Sequence, residues 1–219
     1  MLHVNEQNSR TVRELGPRTN GVTTQRTTDR RVARTRRLLR DALHSLIREK
    51  NYDEIVVKEI IDRADVGRSA FYTHFRDKDD LLASTIEDLL ADVPVIRSAN
   101  RENTNEALLW FSLPIFEHIE GQHVHGGLRM GPKGRSVLHQ RLKLTLAKLI
   151  TARLKKNPAL LRTEQLIPAD LIASYLAATF VLVLDWWVDS KARLSPQAAN
   201  ELFLALAAPA LRTAAARQK

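Results

Sequence analysis

The stretch "VVKEIIDRADVGRSAFYTHFRDKDDLL", Val56 to Leu82, holds two short runs of helical spacing around the four residues "ADVG". Val57, Ile60, Ile61 and Ala64 recur at the spacing that lines one face of a helix. The second run, about Gly67 to Phe75, turns Phe71 and Phe75 inward and leaves Arg68, Ser69, Tyr72, Thr73 and His74 almost side by side on the outside. Asp77 then reads as the N-cap of a further helix carrying Leu81, Leu82, Ile86, Leu89, Leu90 and Val93, ended or kinked by Pro94.

Outward from that stretch the chain stays helical. Upstream, "RRVARTRRLLRDALHSLIREKN" from Arg30 places Val32, Leu38, Leu39, Ala42, Leu43, Leu46 and Ile47 on one face, with Arg on the remainder. This helix is expected to stop at Asn51, which tolerates the left-handed conformation. Residues 1–28 are polar and without periodicity, and read as a flexible basic arm. Downstream, helices are expected at Thr104 to Ile119 with a break at Pro114, near His123 to Met130, and at Arg135 to Lys156, Ala169 to about Ser190 and Pro196 to Ala216. No useful β-alternation interrupts this pattern, so the fold class is all-α.

Two helices across a short turn, the second crowded with hydrogen-bonding side chains and preceded by an Arg-rich helix, form the pattern of a helix-turn-helix DNA reader. Arg can make a bidentate contact with guanine, and Ser, Thr, Tyr and His reach phosphates or base edges. The net charge of +9 over 219 residues agrees with a polyanionic partner. The absence of Cys removes disulfides, thiolate zinc sites and cysteine nucleophiles, and fits a reducing, cytoplasmic compartment. No arrangement of nucleophile, base and oxyanion donors stands out, so an enzyme is not expected.

"ADVGRSAFYTHFRDKDDLL" resembles the signature of the TetR/AcrR family of one-component regulators, with Val66, Phe71, Tyr72, His74, Phe75, Lys78, Leu81 and Leu82 at matching places. The likeness is strong over residues 31–90 and weaker at "LPIFEHI" and "LDWWVDSKARLSPQAANELFLAL". It implies that Tyr72, His74 and Lys78 grip phosphates, that Thr35 and Arg36 touch the DNA backbone, and that the third helix, with Gly67 at its start, enters the major groove. It also implies a dimer on a palindromic double-stranded operator, released by a small-molecule effector bound in the C-terminal half, as in a repressor. The sequence departs from the family pattern at Val56, where a capping Ser or Thr is usual, at Asp65, where Gly is commonest, and at Gly67, which replaces another capping residue.

The expected organisation is an arm at residues 1–28, a three-helix reading module at 29–76 and an effector-binding and dimerisation domain at 77–219. Trp110, Phe111, Phe116, Met130, Tyr175 and Trp186 are candidate walls of an effector cavity. Val181, Leu184, Trp187, Phe203 and Leu206 are candidate dimer contacts, because the last two helices are more apolar than one buried face requires. "LIASYLAATFVLVL", Leu171 to Leu184, is short for a bilayer span and reads as a buried helix, so no membrane partner is expected.

Other features are given plainer readings. His118, His123 and His125 near Glu117 and Glu120 match no specific ligand spacing, and neither metal nor cofactor is assigned. The acid-free stretch from Gly121 to Thr163 reads as a solvated basic helix rather than an anion site, and "GPKGRS" from Gly131 as a loop between helices rather than a phosphate loop. The alternative function is a ligand-binding or interaction protein with a decayed reading head, or a metal-sensing variant of the regulator. Arg68, Tyr72, His74 and Lys78 standing together argue against decay.

Overall fold

The structure, a computed structural model, describes residues 20–92, 108–124, 129–156, 167–190 and 194–213. Among these residues there are eight α-helices and no strand: α1 (Asn20–Glu49), α2 (Val57–Ala64), α3 (Arg68–His74), α4 (Lys78–Asp92), α5 (Ser112–Val124), α6 (Pro132–Lys156), α7 (Ala169–Asp189) and α8 (Pro196–Thr213). A single 3-10 turn, Tyr52–Glu54, separates α1 from α2. The all-α expectation holds.

Several boundaries differ from expectation for local reasons. Neither Pro nor Gly occurs between Val22 and Glu49, so nothing breaks α1 over that stretch; it begins at Asn20, with Gly21 in its first turn, and takes in the last nine residues of the expected arm. Residues 1–19 lie outside the described residues. Asn51 is extended (φ −62°, ψ 133°) rather than left-handed, and its side chain accepts from the Asp53 amide at 3.0 Å. Pro114 sits in the first turn of α5, where a missing N–H costs nothing, so it starts the helix instead of breaking it. In the same way "GPKGRS" is the beginning of α6, with Pro132 as the first helical residue. Pro94 and His125 fall outside the described residues.

The helix-turn-helix has the geometry the turn chemistry allows. Asp65 is left-handed (φ 51°, ψ 51°) and its N–H turns back to Ile61 and Asp62 carbonyls, closing α2. Gly67 has an ordinary φ of −70° and opens α3 through its carbonyl, which accepts from Ala70 at 2.9 Å. Val56 offers no side-chain acceptor to α2, but the reciprocal half of the cap is present: the Val56 N–H donates to Glu59 Oε2 at 3.0 Å. Lys50 holds that carboxylate at 2.6 Å, which pulls the Glu59 pKa down along with the Val56 hydrogen bond.

Two hydrophobic clusters organise the chain. The head cluster joins Leu39, Leu43 and Leu46 of α1 to Ile60, Phe71, Phe75, Leu81 and Leu82. The body cluster joins Ile86 and Leu90 to α5, α6, α7 and α8, with Leu142, Leu146, Ile150 and Leu154 forming the inward stripe of α6. Helix α4 therefore belongs to both: its first turn is head core, and from Ile86 onward it is body core.

In the body, Phe111, Phe116, Phe180, Phe203 and Trp187 interlock, with ring centroids 5.2 to 6.2 Å apart. This corrects the candidate dimer set, because Val181, Leu184, Trp187 and Phe203 all face the core and only Leu206 is exposed. An 18-residue stretch of α7 has a mean hydropathy of 1.8, enough in length and composition to cross a membrane, yet half of that stretch is buried in the body. Its other side carries Leu171, Tyr175, Leu182 and Trp186, exposed by 47 to 67% and spaced along one stripe. Leu202 and Leu206 of α8 are also exposed.

Replacing Val56 with Thr supplies the missing cap oxygen on the same branched frame. Val56→Thr is expected to raise folding stability by about 1 kcal/mol, read as an increased urea midpoint. An unchanged midpoint would mean that the Glu59 half of the cap already satisfies the helix start.

Candidate nucleic-acid interface

Helix α3 presents Arg68, Ser69, Tyr72 and Thr73 to solvent, with His74 half-buried at its end and Gly67 exposed at its start. Phe71 lies behind them with no exposed surface and meets the Tyr72 ring edge-on at 5.2 Å. The Arg68 guanidinium stands 5.8 Å above the Tyr72 ring, which pre-orders both side chains on one face. The Thr73 hydroxyl donates to the Ser69 carbonyl at 2.8 Å, leaving its lone pairs outward.

Arg36 approaches from α1, its guanidinium 5.7 Å from the Phe75 ring, and its buried Nε has no hydrogen-bond partner. Thr35 is half-buried beside it, while Arg30, Arg31, Arg34 and Arg37 are exposed. Helix α3 thus carries an exposed surface rich in hydrogen-bond donors.

Lys78 is placed otherwise than the resemblance implies. Its ammonium donates to the main-chain carbonyls of Tyr52, Asp53 and Ile55 at 2.9, 3.2 and 2.7 Å and lies 4.6 Å from the Tyr52 ring. Burial pulls its pKa down, and Lys133 adds to the effect. An ammonium with three donors and three carbonyl partners is a clamp on the turn between α1 and α2.

That turn is also where the head joins the body. Asp53 accepts the amides of Gly134 at 3.1 Å and Lys133 at 3.3 Å, so a head carboxylate caps the N-terminus of α6. A Cβ at Gly131 would collide with the Asp53 carboxylate and the Asn51 amide, and one at Gly134 would sit 2.6 Å from the Tyr52 ring. The Tyr52 N–H donates to the Arg129 carbonyl at 2.9 Å, and the Arg129 N–H to the Ile47 carbonyl at 3.0 Å. The Tyr52 hydroxyl donates to Asp79 at 2.6 Å, and Lys133 pairs with the same carboxylate at 2.9 Å. Burial, then the Asp79 hydrogen bond, hold the phenol protonated far above its usual pKa. No part of this seam was legible from spacing alone.

Behind the seam lies a cavity of about 270 Å³, walled by α1, α4, α5, α6 and α7. Of the residues expected to line it, only Met130 does so. Phe111 and Phe116 are sealed in the aromatic core, Trp110 lies under Arg153 with the guanidinium 4.7 Å from its ring, and Tyr175 and Trp186 stand on the exposed stripe of α7. Phe111 and Phe116 pack on other rings, and the cavity is lined mainly by aliphatic residues, including Leu184 from the expected dimer set, with His44, Thr85, His118, Arg135, His139 and Asp185 among them. Among the described residues no group of His, Asp and Glu is arranged to hold a metal ion.

These features define a helix-turn-helix reading head on an all-helical body. Residues 39–85 match the family described as bacterial regulatory proteins, tetR family. Over 66 residues, 30% of this chain, the sequence is 35% identical to an uncharacterized HTH-type transcriptional regulator of Bacillus subtilis (strain 168), and that segment covers 17% of the relative. An uncharacterized HTH-type transcriptional regulator of Mycobacterium bovis is 33% identical over 72 residues, 33% of this chain and 34% of the relative. The chain thus spans about a third or less of the curated relatives it matches. The crystal structure of a TetR transcriptional regulator from Streptococcus agalactiae 2603V superposes with a TM-score of 0.53 at 25% identity, covering 84% of this chain and 98% of that one. Residues 39–85 thus match the TetR-family model, and the described chain shares the fold of a TetR transcriptional regulator.

His139, half-buried at the cavity edge, is held below its ordinary pKa of 6.5 by burial, against the pull of Asp185 and with help from Arg135 and Lys143. A lowered folded pKa means the unfolded chain binds the proton first. Stability from this group is therefore complete at neutral pH and falls as pH drops through the unfolded value toward the folded one. Urea midpoints are expected to fall between about pH 7 and 5.5, with a shallower decline in His139→Gln. Equal slopes in the two proteins would remove His139 as the cause.

Proposed function

We propose that the protein is a cytoplasmic transcriptional regulator that binds a palindromic double-stranded DNA operator as a homodimer and is released by a small-molecule effector, acting as a repressor. The observation that carries this reading is the joint presence of an exposed donor-rich α3 and an apolar cavity bounded by α1 and α4 of the head itself. Arg68, Ser69, Tyr72, Thr73 and His74 enter the major groove from α3, while Thr35 and Arg36 reach phosphates from α1.

The exposed stripe of Leu171, Tyr175, Leu182 and Trp186, with Leu202 and Leu206 from α8, supports a two-fold interface. A second copy covers it and sets two reading heads on one side of the duplex. Release follows if the effector favours a head placement that no longer fits both half-sites. Selection of operators from random DNA with the full chain tests the reading directly: an enriched palindrome is expected, and its absence overturns the proposal.

With that operator in hand, Arg68→Ala should cost about 1 to 3 kcal/mol of binding and relax preference at one position in each half-site. Loss of equal size on every sequence would make Arg68 a phosphate contact. Leu182→Glu places a charge in the centre of the apolar stripe, and is expected to give monomers at micromolar concentration by sedimentation with helical content unchanged. A dimer surviving that substitution would move the interface elsewhere.

A further inference from the structure

Two spaces of opposite character meet behind the reading head. The inner chamber is walled mainly by aliphatic side chains such as Leu82, Ile86 and Leu142, with His44, Thr85 and His118 as its own polar groups, and no Phe, Tyr or Trp lines it. The outer vestibule opens to solvent and is edged by Ser136, Gln140 and Lys143. Met130, Arg135, His139 and Asp185 line both, and so form the throat between them.

The throat and vestibule are richer in donors than in acceptors. Arg135 meets Asp189 at 2.7 and 2.8 Å through Nη1 alone, one part of a fork with five N–H donors. Asp185 lies at the longer distances of 3.7 Å from Arg135 and 3.5 Å from His139. Lys143 has no ion-pair partner among the described residues. Helix α6 can supply none, since no acidic residue occurs from Gly121 to Thr163.

A ligand complementary to both spaces needs an apolar part and a head that accepts hydrogen bonds and carries negative charge. We propose that the ligand of this site is an amphipathic organic acid, with a hydrocarbon body in the chamber and an anionic head in the vestibule. Lys143 holds the head by charge, with Ser136 and Gln140 donating beside it. The basic side of α6 then has a use at this one place. The proposal rests on the reading of the chamber as the effector site.

The experiment is calorimetric titration of the full chain with straight-chain carboxylates from hexanoate to dodecanoate, and with the alcohols and amines of matched length, all below their micelle concentrations. The carboxylates are expected to bind about tenfold or more tightly than either counterpart, with affinity rising with length until the chamber is full. Lys143 is exposed, so Lys143→Gln leaves the fold intact, and it should remove about tenfold of carboxylate affinity while leaving the alcohols unchanged. Alcohols or amines binding as well as the acids, carboxylates indifferent to Lys143→Gln, or no carboxylate binding across the series would each overturn the proposal. Operator retention in the presence of a bound carboxylate separates the two readings: the ligand class stands and the effector role falls.

Discussion

The placement of the reading head depends on one carboxylate. Asp53 belongs to the head by sequence but accepts the first free amides of α6, a helix of the body. Helix starts carry unsatisfied N–H groups and partial positive charge, and are usually capped by the residue just before them. Here Gly131 occupies that neighbourhood, and the cap comes from some eighty residues away. The turn that carries Asp53 is itself immobilised by Lys78 against three carbonyls and by Tyr52 against Asp79. Head and body are thus joined by polar contacts that tolerate little rotation, since hydrogen bonds weaken steeply off axis.

Beside that polar seam, α4 makes the apolar one. Its first turn packs with α1 and α3, its remainder with α6, and ion pairs from Asp88 to Arg40 and from Glu87 to Arg141 tie it to both sides. The chamber opens in the angle between these two joints. Its walls come from both sides of the molecule, Leu43 and Ile47 from α1 and Leu142 from α6.

The local part of this architecture could be read in the sequence, and the long-range part could not. Val57, Ile60, Ile61, Ala64, Phe71 and Phe75 announce α2 and α3 because a single buried face on a short helix leaves only one assignment of inside and outside. Helix α7 is apolar on most of its circumference, so periodicity could not say whether Val181 and Leu184 or Tyr175 and Leu182 face the core. The aromatic residues misled for a related reason: composition suggests a cavity lining, whereas large rings interlock and eliminate space. Lys78 looks like a surface cation in the sequence, and only the turn brought against it from residues 52–55 shows three carbonyls awaiting donors.

The glycines at the start of α6 set how separable the two halves of the chain are. With no room for a Cβ at Gly131 or Gly134 against Asn51, Tyr52 and Asp53, the head's turn and the body's helix form a matched lock and ward. A reading head transplanted from another protein would have to bring a carboxylate at the place of Asp53 and a flat ring at the place of Tyr52, or meet a body that rejects it. Outside that contact, Arg68, Ser69, Tyr72 and Thr73 on the solvent side of α3 are exposed and take no part in the lock. Changing a few outward residues of α3 therefore leaves the lock intact, whereas exchanging whole domains requires both sides of the lock to change together.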